Sequence, residues 1–192
     1  KYKGITKSLH QTAGKTIWIG NHNGELLRLD TNLVITGKYN IPRNDDGISS
    51  SINVITNFQF NGREMLLIGT DGDGVYMFNP VNEKFIEFTK DNKAIMDGNV
   101  FDILITDNNL VWLAGYGTTV NAGLKLYDPY SKNLFEFKSE PSGKKQSMPN
   151  SNIIKTLIED NNGVIWIGTR GGGVNKLTYA LSDDNTAINA KF

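Results

Sequence analysis

The chain repeats one short apolar stretch four times, as Ile17-Trp18-Ile19-Gly20, Leu66-Leu67-Ile68-Gly69, Val111-Trp112-Leu113-Ala114 and Ile165-Trp166-Ile167-Gly168. We call this stretch the tetrad. A turn and a second apolar segment follow each copy, at 26–30, 75–80, 124–129 and 174–177. A self-similar β unit that recurs about every 50 residues is typical of β-propeller blades and related arrays. One such unit cannot bury its own faces, so it must stack on its neighbours.

Each unit has the pattern of a four-stranded antiparallel blade, in which the tetrad forms the second strand. Two of the turns before the tetrad contain Asn-Gly, at Asn61-Gly62 and Asn162-Gly163, where both central residues can take positive φ. The outer strand of the last unit, at 187–192, is the weakest. The sequence therefore predicts an all-β fold. It is a single β-propeller segment of four four-stranded blades, at about 1–47, 48–96, 97–149 and 150–192, and part of a larger propeller.

The composition argues against several classes of protein. Lys+Arg and Asp+Glu both number 20, and this zero net charge argues against a general nucleic-acid binder. Cysteine is absent, so neither disulfides nor thiolate metal sites stabilise the fold. No apolar run is long enough to span a bilayer, and we expect no direct membrane insertion of this segment. The chain begins at Lys1 without Met or a signal peptide, so we expect a mature or excised segment.

Catalytic and metal-binding patterns are weak. The three tryptophans, Trp18, Trp112 and Trp166, share one repeat position inside an apolar strand, so we expect all three to be buried between blades. The acidic turns at 71–74 and 160–163 resemble fragments of calcium loops but lack the bidentate Glu, and turn chemistry explains them. His10 and His22 are the only histidines, and no nucleophile elbow or phosphate loop is present. We expect no catalytic residue, no metal and no cofactor.

The loops that interrupt the repeat are the best candidates for a binding site. In an antiparallel blade, the loop between the second and third strands emerges on the same face as the loop that enters the first strand. We call this face the loop face. The third unit carries a longer loop there, within 116–122. The candidate ligand-binding residues are His22, Asn23, Asp71, Asp73, Tyr116, Asn121 and Arg170. An aromatic ring beside amide and charged groups suits a sugar, although an ordinary solvated rim would look the same.

The last unit resembles a known repeat through Asn152-Ile153-Ile154, Ile158-Glu159-Asp160, Gly163-Val164-Ile165-Trp166-Ile167-Gly168-Thr169 and Gly172-Gly173-Val174. This pattern is similar to the two-component regulator propeller repeat, and the segments 53–80 and 99–129 are similar too. Such repeats occur in the periplasmic sensor regions of hybrid two-component systems, notably in gut Bacteroidetes that sense polysaccharide fragments. This chain departs from the pattern at Leu67 and Ala114, and its first unit lacks the leading Asp-x-x-Gly.

The resemblance implies a non-catalytic sensor segment in the periplasm, as the extracytoplasmic part of an inner-membrane receptor. Its loop face would bind an oligosaccharide or contact a partner, and a conformational shift would pass to a kinase elsewhere in the full protein. Two alternatives stay open. One is a protein-binding scaffold of the WD type. The other is a lyase, since antibiotic-inactivating lyases are built from similar propeller repeats, but one blade holds both histidines.

The ends of the chain lead to an expectation about assembly. No terminal strand is obviously spare to close a ring, and four blades are the lower limit for closure. We therefore expect an open arc that covers its terminal blades with other blades or with a second copy of the same chain. Two arcs could complete an eight-bladed ring, and a closed four-bladed monomer is the alternative.

Overall fold

The computed structural model describes residues 4–42, 50–90, 93–116, 123–138 and 149–192. These residues form strands and turns, with no helix among them. The first blade comprises β1 (Thr6–Gln11), β2 (Ile17–Asn21), β3 (Glu25–Leu29) and β4 (Ile35–Asn40). The second comprises β5 (Ile52–Phe60), β6 (Arg63–Gly72), β7 (Val75–Asn79) and β8 (Lys84–Glu87), followed by a hairpin of β9 (Thr89–Lys90) and β10 (Lys93–Ala94).

The third blade comprises β11 (Gly98–Ile105), β12 (Val111–Tyr116), β13 (Leu124–Tyr127) and β14 (Leu134–Phe137). The fourth comprises β15 (Ile154–Glu159), β16 (Ile165–Thr169), β17 (Val174–Leu181) and β18 (Ile188–Lys191). Consecutive strands of every blade pair antiparallel, which confirms the predicted all-β fold of four four-stranded blades. The weak segment at 187–192 does form its strand, because β18 pairs with the far end of the long strand β17.

Three apolar clusters hold the blades together, one between each pair of consecutive blades. The second tetrad residue lies in these clusters at each junction, where Trp18 is 1%, Leu67 0% and Trp112 0% exposed. Trp18 packs edge-on against Phe78 of the second blade, and Trp112 packs edge-on against Tyr179 of the fourth. This position therefore always faces the following blade.

Trp166 corrects the prediction that all three tryptophans are buried. Its side chain is 39% exposed, and its indole Nε1 donates to Oδ2 of Asp160 at 3.0 Å. The second tetrad residue faces the next blade, and no blade among the described residues lies against this face of the fourth. Ile158 and Val174, on the same face, are exposed as well.

The glycine that ends the tetrad lets neighbouring blades approach closely. A Cβ on Gly20 would overlap the side chain of Ile52 in the next blade. A Cβ on Gly69 would come within 2.7 Å of Cγ1 of Val100, also in the next blade. Real Cβ atoms do not reach such distances, so either substitution would push two blades apart. The third blade has Ala114 at this position, fully buried against the fourth blade.

The turns before the tetrads follow two designs. Asn61 and Gly62 take φ values of 51° and 70°, as predicted for a two-residue hairpin turn. The prediction is wrong for Asn162, because only Gly163 has positive φ in that turn. There the Asp160 carboxylate accepts from the backbone N–H groups of Asn162 and Val164, and this side-chain cap favours a longer loop.

Lys125 interrupts an otherwise apolar strand but is 1% exposed. Its Nζ donates to the carbonyl of Ile95 at 2.8 Å and pairs with Oε1 of Glu136 at 2.6 Å. Burial favours the neutral form of Glu136, but the Lys125 ammonium outweighs it and lowers the pKa of that carboxyl. The hydrogen bond from Lys125 to Ile95 ties the third blade to the segment that follows the β9–β10 hairpin of the second.

The Trp position gives a first prediction about stability. Replacing Trp112 with Ala should lower the free energy of unfolding by about 3–5 kcal/mol, because a fully buried ring leaves a cavity between blades. Trp166→Ala should cost less than half as much, since that ring has one face in solvent. Urea unfolding followed by circular dichroism measures both. Equal losses would contradict the assignment of Trp166 to an uncovered face.

A second prediction concerns Asp128, which joins the turns of the third and fourth blades. Burial favours its neutral form, but hydrogen bonds from Ser131, from the N–H of Tyr130 and from Asn185 outweigh it and lower the pKa. A carboxyl whose pKa is lower in the folded state stabilises the fold above its unfolded pKa. This contribution is lost as the pH falls through the folded pKa.

Asp128→Asn should therefore destabilise the protein at pH 7 by about 1–3 kcal/mol, because bonded donors lose a charged acceptor. The gap between wild type and variant should close as the pH falls below about 4. Denaturant midpoints measured across that range test this, with Asp183→Asn as the control that removes an exposed carboxylate. A gap that stays constant with pH would rule out the charge as its origin.

Candidate functional site

Four of the predicted residues occupy the same position of the repeat, two places after the end of the tetrad. They are His22, Asp71, Tyr116 and Arg170, and we call them the loop-face row. All four side chains are exposed, Tyr116 at 38%. The backbone N–H of His22, Asp71 and Arg170 donates to the residue that enters the first strand of its own blade, with distances of 2.9–3.0 Å. The row thus repeats one backbone contact while its side chains differ in every blade.

Ser51 joins the first two members of the row. Its carbonyl accepts from the N–H of Asp71 at 2.9 Å, and its hydroxyl donates to the carbonyl of His22 at 3.0 Å. His22 Nδ1 also lies 2.9 Å from the same hydroxyl oxygen. Because Ser51 belongs to the second blade and His22 to the first, the loops of these two blades are held together here.

Asn99 joins the second and third members of the row. It pairs with Asp71 of the second blade and with Tyr116 of its own blade, at the point where β11 runs beside both β6 and β12. His22, Asp71 and Tyr116 are therefore linked through only two intermediate residues. Arg170 holds the same place in the fourth blade, and its carbonyl accepts from the Ser151 hydroxyl at 2.9 Å.

Two more predicted residues lie on the same turns, and one lies elsewhere. Asn23 is exposed, and its N–H donates to Oδ1 of Asn21 at 2.8 Å. Asp73 is half-buried beside Asp71, and its N–H donates to Oγ1 of Thr70 at 3.0 Å. Asn121 lies outside the described residues.

The Asp73 carboxylate is a polar group of this face that lacks a full set of hydrogen-bond partners. Its Oδ2 is buried and has no hydrogen-bond partner among the described residues. A buried acceptor without a donor costs free energy, so such groups in native proteins call for an explanation. Asp73 therefore marks the second-blade turn as a place where a hydrogen-bond donor on a ligand would find a free acceptor.

The contact between Ser51 and His22 was not predicted from the sequence, because the two residues are far apart along the chain and belong to different blades. The Ser51 hydroxyl lies within hydrogen-bond distance of both the backbone carbonyl and the ring Nδ1 of His22. His10 makes a comparable bridge, from its Nε2 to Oδ1 of Asn57 at 2.9 Å. Both histidines thus connect the first blade to the second.

Among the residues described, no three His, Asp or Glu side chains are placed to share a metal ion. The described part of the chain holds no helix of the length and hydrophobicity that crossing a bilayer requires.

Comparison with known proteins confirms the resemblance stated above. Residues 147–171 match the family described as "Two component regulator propeller". The chain is 26% identical over 135 residues to histidine kinase P4 of Formosa agariphila, an alignment that covers 70% of this chain and 9% of that protein.

Solved structures share the fold. The extracellular domain of the putative hybrid two component system BT4673 from B. thetaiotaomicron superposes with a TM-score of 0.69 and 18% identity, over 91% of this chain and 22% of that one. The extracellular domain of BT3049, a putative hybrid two component system of the same organism, gives a TM-score of 0.66 and 16% identity, over 100% and 25%. The chain thus spans about a quarter of those structures.

Proposed function

We propose that this chain is a non-catalytic segment of the extracytoplasmic sensor of a two-component receptor, and that its loop face binds an oligosaccharide. The main support for this proposal is the loop-face row. Three of its positions donate the same backbone hydrogen bond and the fourth, Tyr116, pairs with Asn99, but the four side chains are an imidazole, a carboxylate, a phenol and a guanidinium. The four tetrads of the same repeat stay apolar, whereas this exposed position changes its chemistry from blade to blade. Loops on a rigid scaffold are where binding residues gather.

The chemistry of the row favours a carbohydrate. The ring of Tyr116 offers a flat apolar surface for the C–H face of a sugar, while Asp71 and Arg170 can exchange hydrogen bonds with hydroxyl groups. The unpartnered Oδ2 of Asp73 would accept from a hydroxyl once the turn opens to it. The periplasmic location, as part of an inner-membrane receptor, rests on the similarity to extracellular domains of two-component systems.

The links within the row provide a route from binding to a conformational response. Ser51 joins the loops of the first and second blades, and Asn99 joins those of the second and third. A ligand that touches His22 and Asp71, or Asp71 and Tyr116, therefore contacts two blades whose loops are joined to each other. It shifts the angle between these blades only if it binds one arrangement more tightly than the other. A kinase elsewhere in the full protein would receive that shift.

Two observations argue for the non-catalytic role over a lyase. The Ser51 hydroxyl is engaged with the His22 carbonyl, and both histidines make contacts between the first two blades. A scaffold that binds protein would use the same loop face. It would contact a surface rather than an isolated oligosaccharide, so the binding experiment separates the two.

A third prediction tests the ligand class. Titration with a panel of neutral and acidic oligosaccharides, followed by calorimetry, should find binding that Tyr116→Ala weakens about tenfold, equivalent to about 1.4 kcal/mol. The matched control is Tyr130→Ala, which removes a 69% exposed tyrosine from a turn on the opposite face. Equal affinity of the two variants, or binding of a protein partner but no glycan, would contradict the proposal.

We also propose that further blades cover the exposed face of the fourth blade, formed by Ile158, Trp166 and Val174. The equivalent face of each earlier blade packs against its neighbour, and an exposed apolar patch of this kind favours association. In the chain taken alone, a second copy would supply the cover. The exposed Ile5 and Leu9 of the first blade offer it an apolar counterpart.

A fourth prediction follows from this arrangement. The 192-residue chain should self-associate in multi-angle light scattering, and Val174→Asp should shift it towards monomer by placing a charge in the patch. Asp71→Asn, on the loop face, serves as the control and should leave the mass unchanged. A monodisperse wild-type monomer would overturn the open arc and favour a closed four-bladed ring.

A further inference from the structure

The hairpin of β5 and β6 is longer than its counterparts. In the other three blades, pairing between the first two strands ends at the first tetrad residue, in the pairs Gln11–Ile17, Ile105–Val111 and Glu159–Ile165. In the second blade it continues past the equivalent Leu66 for three more pairs, Phe58–Met65, Gln59–Glu64 and Phe60–Arg63. The extra ladder projects on the face opposite the loop face, because it adjoins the Asn61-Gly62 turn.

A cleft of about 340 Å³ lies along this extension. Its apolar walls come from Phe60, Met65, Met77 and Ile86, and its polar rim comes from Asn61, Arg63 and Asn79. Met65 and Met77 are buried at the floor, while Phe60 stacks on Phe58 at 5.9 Å between ring centroids. The volume is at the low end for ligand pockets, which fits a small molecule rather than an extended polymer.

The lining of the cleft contains one charged side chain, the cation Arg63. No carboxylate belongs to its lining, and Arg63 forms no ion pair with any described residue. A guanidinium presents a planar fork of donors that matches a carboxylate and binds it through two parallel hydrogen bonds. The methionines below it are flexible and polarisable, so they adapt to an apolar body of varied shape.

We propose that this cleft binds a small organic carboxylate with an apolar body, such as an aryl or short alkyl acid. The carboxylate pairs with Arg63, the body rests on Met65 and Met77, and the Asn61 and Asn79 amides border the charged end. Four of the seven lining side chains are apolar, and Oδ1 of Asn79 already accepts from the backbone N–H groups of Val81 and Asn82, so few partners are left for the hydroxyls of a sugar. The site is therefore separate in position and in chemistry from the loop face.

Occupation of the cleft acts on the junction between the second and third blades. Met65 and Met77 belong to the apolar cluster that also contains Val111 and Leu113 of the third blade. Interiors of this kind are close-packed, so a ligand that moves the methionines also changes the fit of the two blades. A ligand in the cleft would therefore act on the same stack of blades as a ligand on the loop face, but from the opposite face.

Methionine-methyl NMR tests the site directly, with phenylacetate as the probe. Titration should shift the methyl resonances of Met65 and Met77 and saturate in the millimolar range, while the resonance of Met96, which lies in the same cluster but not in the lining, should shift less. Phenylacetamide, which has the same shape without the charge, should bind about tenfold more weakly. Arg63→Gln should cause a similar loss.

The control variant is Lys176→Gln, which removes a single exposed cation from the fourth blade. It should bind phenylacetate as the wild type does, and both variants should keep the wild-type unfolding midpoint. Two results would overturn the proposal: unchanged Met65 and Met77 resonances, or equal affinity of wild type and Arg63→Gln. Neither depends on whether the loop face binds a glycan.

Discussion

The contact between each tetrad and the blade that follows it supports everything else in this structure. Trp18, Leu67 and Trp112 fill three successive junctions, and the glycines at 20 and 69 bring the next inner strand close enough for that packing. Burial of this kind is the main favourable term in folding. The loop-face row is positioned by it because its members lie on successive blades, and the cleft is positioned by it because Met65 and Met77 of its lining belong to the cluster of one junction.

The spacing of the tetrads predicted the number, order and type of strands, because a period of this length has few structural solutions. It predicted the burial of Trp18 and Trp112 for the same reason and was wrong for Trp166. Burial at a repeat position depends on a neighbour, and the pattern of one unit carries no information about whether that neighbour is present. The turn at Asn162 was mispredicted because the Asp160 carboxylate competes for the backbone donors.

The positions of the candidate residues could be predicted from the sequence, but the contacts that link their loops could not. Register alone places His22, Asp71, Tyr116 and Arg170 at equivalent points. The links through Ser51 and Asn99 depend on how blades meet, which no local pattern specifies. Lys125 shows the same limit, since its burial depends on a carbonyl about thirty residues away along the chain. The cleft depends on three added residue pairs, which in the sequence look like an ordinary short turn.

The equivalence of the three junctions also affects how such a chain can evolve. Each blade meets its neighbours through the same tetrad position, so a duplicated unit finds a compatible partner on either side, and a deleted one leaves compatible partners behind. Features outside the junction, such as the exposed side chains of the loop-face row, then diverge without disturbing the stack. A family built this way can alter the number of its units and the chemistry of each unit independently.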